Sequence, residues 1–469
     1  MIAAPFAMPT CLAELSGMAS ARRRHRDADV IVIGAGAAGL AAANVLLDNG
    51  LDVLVLEARR RTGGRIETAA LLPSGSPIEL GAEFLHGVAA PIREIAREHD
   101  FRTIDISGQR FEHTTHGLRV ARDYTARLDR VLGRLDAHRT PDRSFADAMR
   151  ANRGSLRASD RSLATRYVEG FEAADATLIG ERWLAAARSS GRDARESRIG
   201  RLLDGYGALV DVLAQPLGAR VRLGAVVSEV RWRPGHVEVV SGGAGGRRRT
   251  EAARAALVTV PLGVLQAPAG APGAIRFDPP APALDRSAAL GIMGPVHRVI
   301  YRFADPFWLE PAFARRLGAP PLDRMSFLQS RRPLPFQVWW TTYPVTSPLL
   351  VAWRGGSHAA RLAQQTTQTL EQLGLDSLAS IFRMTPARLA ARLVRAYYRD
   401  WLTDPFSRGA YAYARVGGAR MPERLARPVS HTIWYAGEAA HTAASTGTVH
   451  GAIASGQRAA REIVELVHG

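Results

Sequence analysis

Apolar positions along the chain follow two periods, and the switches between them mark the elements. Val30–Ile33 is a short uninterrupted β-branched run, which predicts a strand buried on both faces. Leu40–Asp48 then carries small and apolar residues at helical spacing, and Val53–Leu56 returns to the buried-strand pattern. Val221–Val240 alternates apolar and polar residues, as strands do. Ala256–Val260 and Val296–Phe303 read as strands, Phe336–Tyr343 and Leu349–Trp353 as sheet. Residues from about 91 to 198 are rich in Ala, Arg and Leu at helical spacing, as in Ala121–Leu135 and Ser162–Ala187. Helices are also expected at Ala208–Leu217, which Gly205-Tyr-Gly207 opens, and at Ala359–Leu373, Leu375–Phe382, Thr385–Leu393 and Ser455–Val467. Helices alternating with strands predict an α/β fold.

The junction of the first strand and helix changes the picture. It reads Gly34-Ala-Gly36-Ala-Ala38-Gly39. Gly34 permits the tight turn, Gly36 lets backbone approach a pyrophosphate, and Gly39 lets helix and strand pack closely. The helix N-terminus offers free N–H groups and a positive dipole end to phosphate. Glu57 ends the second strand, roughly 20 residues on, where a carboxylate accepts ribose hydroxyls. Val30–Leu47 is uncharged and nearly long enough to span a bilayer. Its three glycines, Asn44 and the strand that follows argue against that reading. Near the other end stand Trp434-Tyr-Ala-Gly437-Glu438 and Ser445-Thr-Gly447-Thr448-Val449-His450-Gly451. Two glycine-rich segments at opposite ends suit a flavin dinucleotide, one binding the AMP half and the other closing on the redox half. A cofactor-facing Glu438 so late in the chain means that the dinucleotide domain is assembled from separated segments.

Composition bounds the rest. At 469 residues and 46% hydrophobic, the chain can bury large cores. All 61 basic residues are arginine, and the formal net charge is +17. Such a charge raises nucleic acid as a partner, but the arginines are scattered among Ala, Leu and acids. The blocks Arg22–Arg26, Arg59–Arg61 and Arg247–Arg249 are short, so a solvated basic surface is the better reading. Cys11 is the single cysteine, so no intrachain disulfide or cysteine zinc site can form, in keeping with a reducing compartment. In Met1–Ser20 the arginines follow the apolar part, the reverse of a secretory signal. These points predict a cytoplasmic protein with no membrane, nucleic-acid or metal partner and an N-terminal extension over residues 1–27. They leave the oligomeric state open.

Together the motifs resemble the flavin-containing amine oxidases, a family of monoamine, polyamine and L-amino-acid oxidases and histone demethylases. The resemblance runs from Asp29 onward. It rests on the glycine turn, Glu57-Ala58-Arg59-Arg-Arg-Thr-Gly63-Gly64-Arg65, Glu79-Leu-Gly81-Ala82-Glu83-Phe84-Leu-His86-Gly87, Val227, Val260-Pro-Leu-Gly-Val-Leu265, Ile275–Pro279, Phe307-Trp308, Tyr411-Ala-Tyr413 and the C-terminal Gly-Glu loop. It implies a Rossmann-like FAD-binding domain (28–90, 199–278 and 421–469) interleaved with a substrate domain of mixed sheet and helices (91–198 and 279–420). It implies that Ala38, Ala58, Arg59, Gly64 and Arg65 belong to the dinucleotide cradle, with Arg65 neutralising phosphate charge. Gly81, Ala82, Glu83 and Phe84 would border the isoalloxazine ring, and Val227 the adenine. Glu438 would meet the ribityl or pyrophosphate region, with Thr448 and Val449 near the ring. The reaction implied is oxidation of an amine to an imine and then a carbonyl, with oxygen leaving as peroxide. An L-amino-acid oxidase, using arginine as a carboxylate clamp, and a desaturase-type flavoprotein are the alternatives.

The chain also departs from the family. Arg298 stands where relatives carry the lysine that holds a water near flavin N5, and arginine keeps the charge but presents it as a planar fork. Ala410 precedes Tyr411 where monoamine oxidases attach flavin through cysteine, so FAD is expected to be non-covalent. Tyr411 would form one wall of an aromatic cage, and Ala444–Thr448 offers no aromatic partner for it. His86 would lie near the ring and orient the amine.

Overall fold

A computed structural model describes residues 26–189, 198–243 and 246–469. Of the N-terminal extension, residues 1–25, including Cys11 and most of the Arg22–Arg26 block, lie outside the described residues. The buried β-branched runs do what runs hidden on both faces must do, and form one parallel sheet. Its order is Val221–Leu223, Val53–Glu57, Val30–Ile33, Ala255–Val258, Ile433–Tyr435. Val30 pairs with Val53 on one side and Ala255 on the other, and Ala256 pairs with Ile433. The helices Ala37–Asp48 and Val449–His468 cover it. They approach so closely that a Cβ on Gly456 would sit 2.2 Å from the Ala38 carbonyl oxygen. Leu40, Leu46, Ile453, Ala459 and Ile463 fill the interface and are fully buried.

A four-stranded sheet over Val226–Ala253 and Arg276–Asp278 flanks this unit. The second large sheet is mixed and seven-stranded. Its order is Leu393–Tyr398, Val296–Phe303, Leu349–Gly355, Val338–Trp340, Met325–Ser330, Gln109–Thr114, Gly117–Val120. Tyr301, Phe303, Trp339 and Phe382 pack one face of it against the helix Thr367–Phe382. Two smaller ladders lie between the large sheets. One joins Phe84–His86, Ile199–Leu202 and Thr103–Asp105, the other Gly291–Gly294 and Tyr411–Ala414.

Four helical expectations are corrected. The stretch 91–198 contains three strands, Thr103–Asp105, Gln109–Thr114 and Gly117–Val120, whose polar members lean on Met325–Ser330 and on each other. Ser162–Ala187 is two helices, Ala158–Gly170 and Glu181–Ser189, broken after Gly170. Ala359–Leu373 is interrupted because Thr366 caps a new helix, its Oγ1 accepting from the Thr369 N–H at 3.1 Å. The helix of Thr385–Leu393 stops at Ala390, and Leu393 begins a sheet strand. Among the described residues no helix is long and apolar enough to cross a membrane.

Candidate active site

A cavity of about 970 Å³ runs from the carboxyl edge of the parallel sheet to the inner face of the seven-stranded sheet. That edge is where open α/β sheets take ligands. Every residue expected to hold cofactor or substrate lines this cavity except Gly39. Gly39 works from behind, since a Cβ there would lie 2.0 Å from the Gly34 carbonyl oxygen.

The cradle end fits a dinucleotide. Gly34 has φ +108°, a conformation that favours glycine, and the turn it makes starts the helix at Ala37. Gly36 caps that helix, and a Cβ built on it meets nothing within 4 Å, so the space beside its backbone is free. Glu57 is 4% exposed and accepts from the Ala35 and Arg59 N–H groups, each at 2.8 Å. Each carboxylate oxygen keeps a second lone pair for a ribose hydroxyl. Ala225 and Val227 wall the same end.

The arginines of the cradle are committed to acids. Arg59 pairs with Asp404 at 2.7 Å. Arg65 donates to the Ala410 carbonyl at 2.7 Å and to Glu438 at 3.0 Å. Glu438 also accepts from Ala412 N at 3.2 Å and Gly447 N at 2.9 Å. Arg65 and Glu438 therefore tie the Gly63–Gly64 turn to the C-terminal loop, and both still face the cavity. Thr448 caps the last helix, its Oγ1 accepting from Gly451 N at 3.0 Å, which sets Val449 on the cavity wall.

Glu83 sits at the centre of a buried ionic cluster. Arg201 Nε donates to it at 2.8 Å, Trp340 Nε1 at 3.0 Å, and Arg298 through Nη2. Arg298 also donates to the Gly81 carbonyl, while its Nε is buried without a partner. Burial raises the carboxyl pKa of Glu83, but the two guanidiniums outweigh it and hold the group below the ordinary range. On the same strand His297 points the other way, bonded to Tyr398 Oη at 2.8 Å and to the Ala359 carbonyl at 3.1 Å.

His86 lies edge-on to Phe171, with ring centroids 5.7 Å apart, and burial pushes its pKa down to about 4. Tyr411 donates its hydroxyl to the Phe171 carbonyl. The missing aromatic partner comes from another part of the chain. Trp353, on the strand Leu349–Gly355, lies parallel to Tyr411 with centroids 6.5 Å apart.

Further cavity residues escaped the sequence reading: Arg110, Tyr124, Arg166, Tyr167, Glu172, Trp340 and Trp353. In sequence they are ordinary members of apolar, Arg-rich stretches, and only pairing across the sheet brings them to one wall. Glu172 has no hydrogen-bond or ionic partner among the described residues, and burial pushes its carboxyl pKa up to about 7. No group of three or more potential metal ligands occurs among the described residues.

The description of flavin-containing amine oxidoreductases matches residues 37–464. Polyamine oxidase 3 of Oryza sativa subsp. japonica is 30% identical over 473 residues, spanning 94% of this chain and 90% of its own length. Polyamine oxidase 2 of Arabidopsis thaliana is 28% identical, spanning 95% and 89%. Among solved structures, wild-type putrescine oxidase bound to putrescine superposes with a TM-score of 0.75 at 21% identity, covering 93% of this chain and 99% of its own. Cyclohexylamine oxidase from Brevibacterium oxydans IH-35A gives 0.76 at 22%, covering 94% and 100%.

Proposed function

This chain belongs to the flavin-containing amine oxidoreductase family, and from that premise we propose how its cavity divides the work of oxidising an amine. FAD supplies the two-electron acceptor for the hydrogen on the carbon next to nitrogen, and in our reading oxygen takes the electrons on as hydrogen peroxide. The Gly36 backbone and the helix N-terminus hold the pyrophosphate, and Glu57 holds the ribose. Arg65 and Glu438 fix the loop that carries Thr448 and Val449 against the ring. The family's cysteine attachment point is Ala410 here, and with Cys11 the single thiol the cofactor is held without a covalent bond.

The remaining residues handle the amine. Tyr411 and Trp353 flank it and exclude water, their faces favouring an apolar or cationic group. Glu172 accepts an N–H of the amine and gains charge as it ionises. His86 stays neutral and orients the amine. The unpartnered Arg298 Nε–H donates to a water beside Glu83. The imine leaves and hydrolyses to a carbonyl. Residues 28–90, 199–278 and 421–469 form the FAD-binding part in this scheme and 91–198 with 279–420 the substrate part, the protein working in the cytoplasm.

The observation that carries this reading is one continuous cavity joining the Gly36–Glu57 cradle to the Tyr411–Trp353 wall. The test is a screen of amines against the purified yellow protein. Anaerobic bleaching by at least one amine, with peroxide formed on admitting air, is expected. A flavin that no amine bleaches overturns the reading.

A further inference from the structure

We propose that the far wall of the cavity is a carboxylate-binding site, formed by Arg110 and Arg166 with the phenols of Tyr124 and Tyr167, so that the preferred amine carries a carboxylate. The inference rests on the amine-oxidase reading and names its substrate class.

In a chain with 61 arginines and 44 acids, the other guanidiniums buried in this cavity are paired. Arg59, Arg65, Arg201 and Arg298 each hold a carboxylate. Arg110 holds none. Among the described residues its guanidinium makes no hydrogen bond or ion pair. It lies 4.5 Å from the ring centroid of Phe327 and 5.0 Å from that of Tyr124. The groups acting on its charge are the Tyr124 and Tyr167 phenols, and burial disfavours its ionised form. Arg166 donates Nη1 to Ser162 Oγ at 2.7 Å, and its Nε is buried without a partner. The carboxylate that acts on it, Glu112, is already held by Arg119 at 3.0 Å and by Arg331.

Two guanidiniums facing one cavity without a counter-ion are costly. Aromatic faces offset part of the cost. An anion completes the arrangement, and a carboxylate matches the planar fork of arginine in bidentate geometry. Tyr167 connects this wall to the opposite one, since its phenol feels both Glu172 and Arg110. Glu172 in turn acts on Tyr411. The cavity is thus acidic beside Tyr411 and basic beside Tyr124, complementary to a molecule with an amine at one end and a carboxylate at the other. A diamine would drive its second cation toward two like charges.

The test compares hexylamine, aminohexanoate and hexamethylenediamine, with leucine and isopentylamine as a shorter pair. In the holoenzyme the carboxylated member of at least one pair should exceed its carboxylate-free partner in kcat/KM by about tenfold or more, the worth of one charge-assisted hydrogen bond. Arg110→Met should lower that ratio by about tenfold, and Arg110→Lys should keep part of it. Calorimetry with hexanoate gives a readout independent of turnover, and binding should weaken by about tenfold in Arg110→Met. A native preference for hexamethylenediamine overturns the proposal. So does an Arg110→Met protein that binds hexanoate as tightly as the native one. If no amine bleaches the native flavin, the amine-oxidase reading fails, while hexanoate binding still decides whether the carboxylate site exists.

Discussion

Arg298 and Glu83, 215 residues apart in the chain, form a buried ion pair that joins the seven-stranded sheet to the loop after Gly81. Arg201 and Trp340 hold the same carboxylate. Arg298 therefore has two jobs. Its Nη atoms carry the joint between the sheet and the loop, and its Nε remains to meet a ligand or water.

The two jobs separate by kinetics. Arg298→Met leaves Glu83 with one guanidinium in place of two, and breaking a buried pair costs about 3–5 kcal/mol. Thermal unfolding should report that loss. If Nε holds a water at the ring, stopped-flow traces of the variant should show reoxidation by oxygen slowed more than reduction by amine, and Arg298→Lys should recover oxygen reactivity. Equal slowing of both half-reactions would leave Arg298 only its ion pair. His297 is no substitute, because both its ring nitrogens are engaged on the other face of the strand.

The cradle is tested by Gly36→Val and Glu57→Ala. A valine side chain would occupy the free space beside Gly36. Loss of the Glu57 carboxylate removes charge-assisted hydrogen bonds worth about 1.5–3 kcal/mol each. Both proteins should purify folded by circular dichroism but nearly colourless. A normal flavin absorbance ratio in either one would refute the dinucleotide assignment.

Acid precipitation should leave the polypeptide white and all flavin in the supernatant, since Ala410 stands at the linkage position. Yellow pellet would mean attachment through another side chain.

Glu172 sets a pH dependence. Its carboxyl is pushed from the ordinary 4.5 to about 7 by burial. Between those values the native protein keeps a proton that the unfolded chain releases, so this group's contribution to stability falls as pH rises through the window and is flat above it. Glu172→Gln should therefore gain stability relative to the native protein from about pH 5 to about pH 8 in urea titrations. Glu79, also pushed up to about 7, contributes a slope of the same sign in both proteins. Ionised Glu172 attracts the amine, so KM should fall as pH rises through about 7. That inflection should vanish in Glu172→Gln. Its persistence would assign the titration elsewhere. It would not pass to His86, which is neutral above about 4.

The local chain determined a good deal of this protein. The strand Val296–Phe303 falls where alternation places it, and Val30–Ile33, the glycine turn and Glu57 make a dinucleotide cradle within thirty or so residues. Burial on both faces and the glycine requirement of the turn are local constraints, and residues of the right type in the right order record them. The tertiary structure alone decided the rest. Strands 103–120 looked helical because their apolar positions are sparse and become buried only against Met325–Ser330. Trp353 became the partner of Tyr411, and Arg298 that of Glu83, through sheet pairings that close over long separations. Whether an arginine meets a carboxylate or is left facing a cavity is a matter of position in space. Among 61 arginines nothing in the local pattern singles out Arg110.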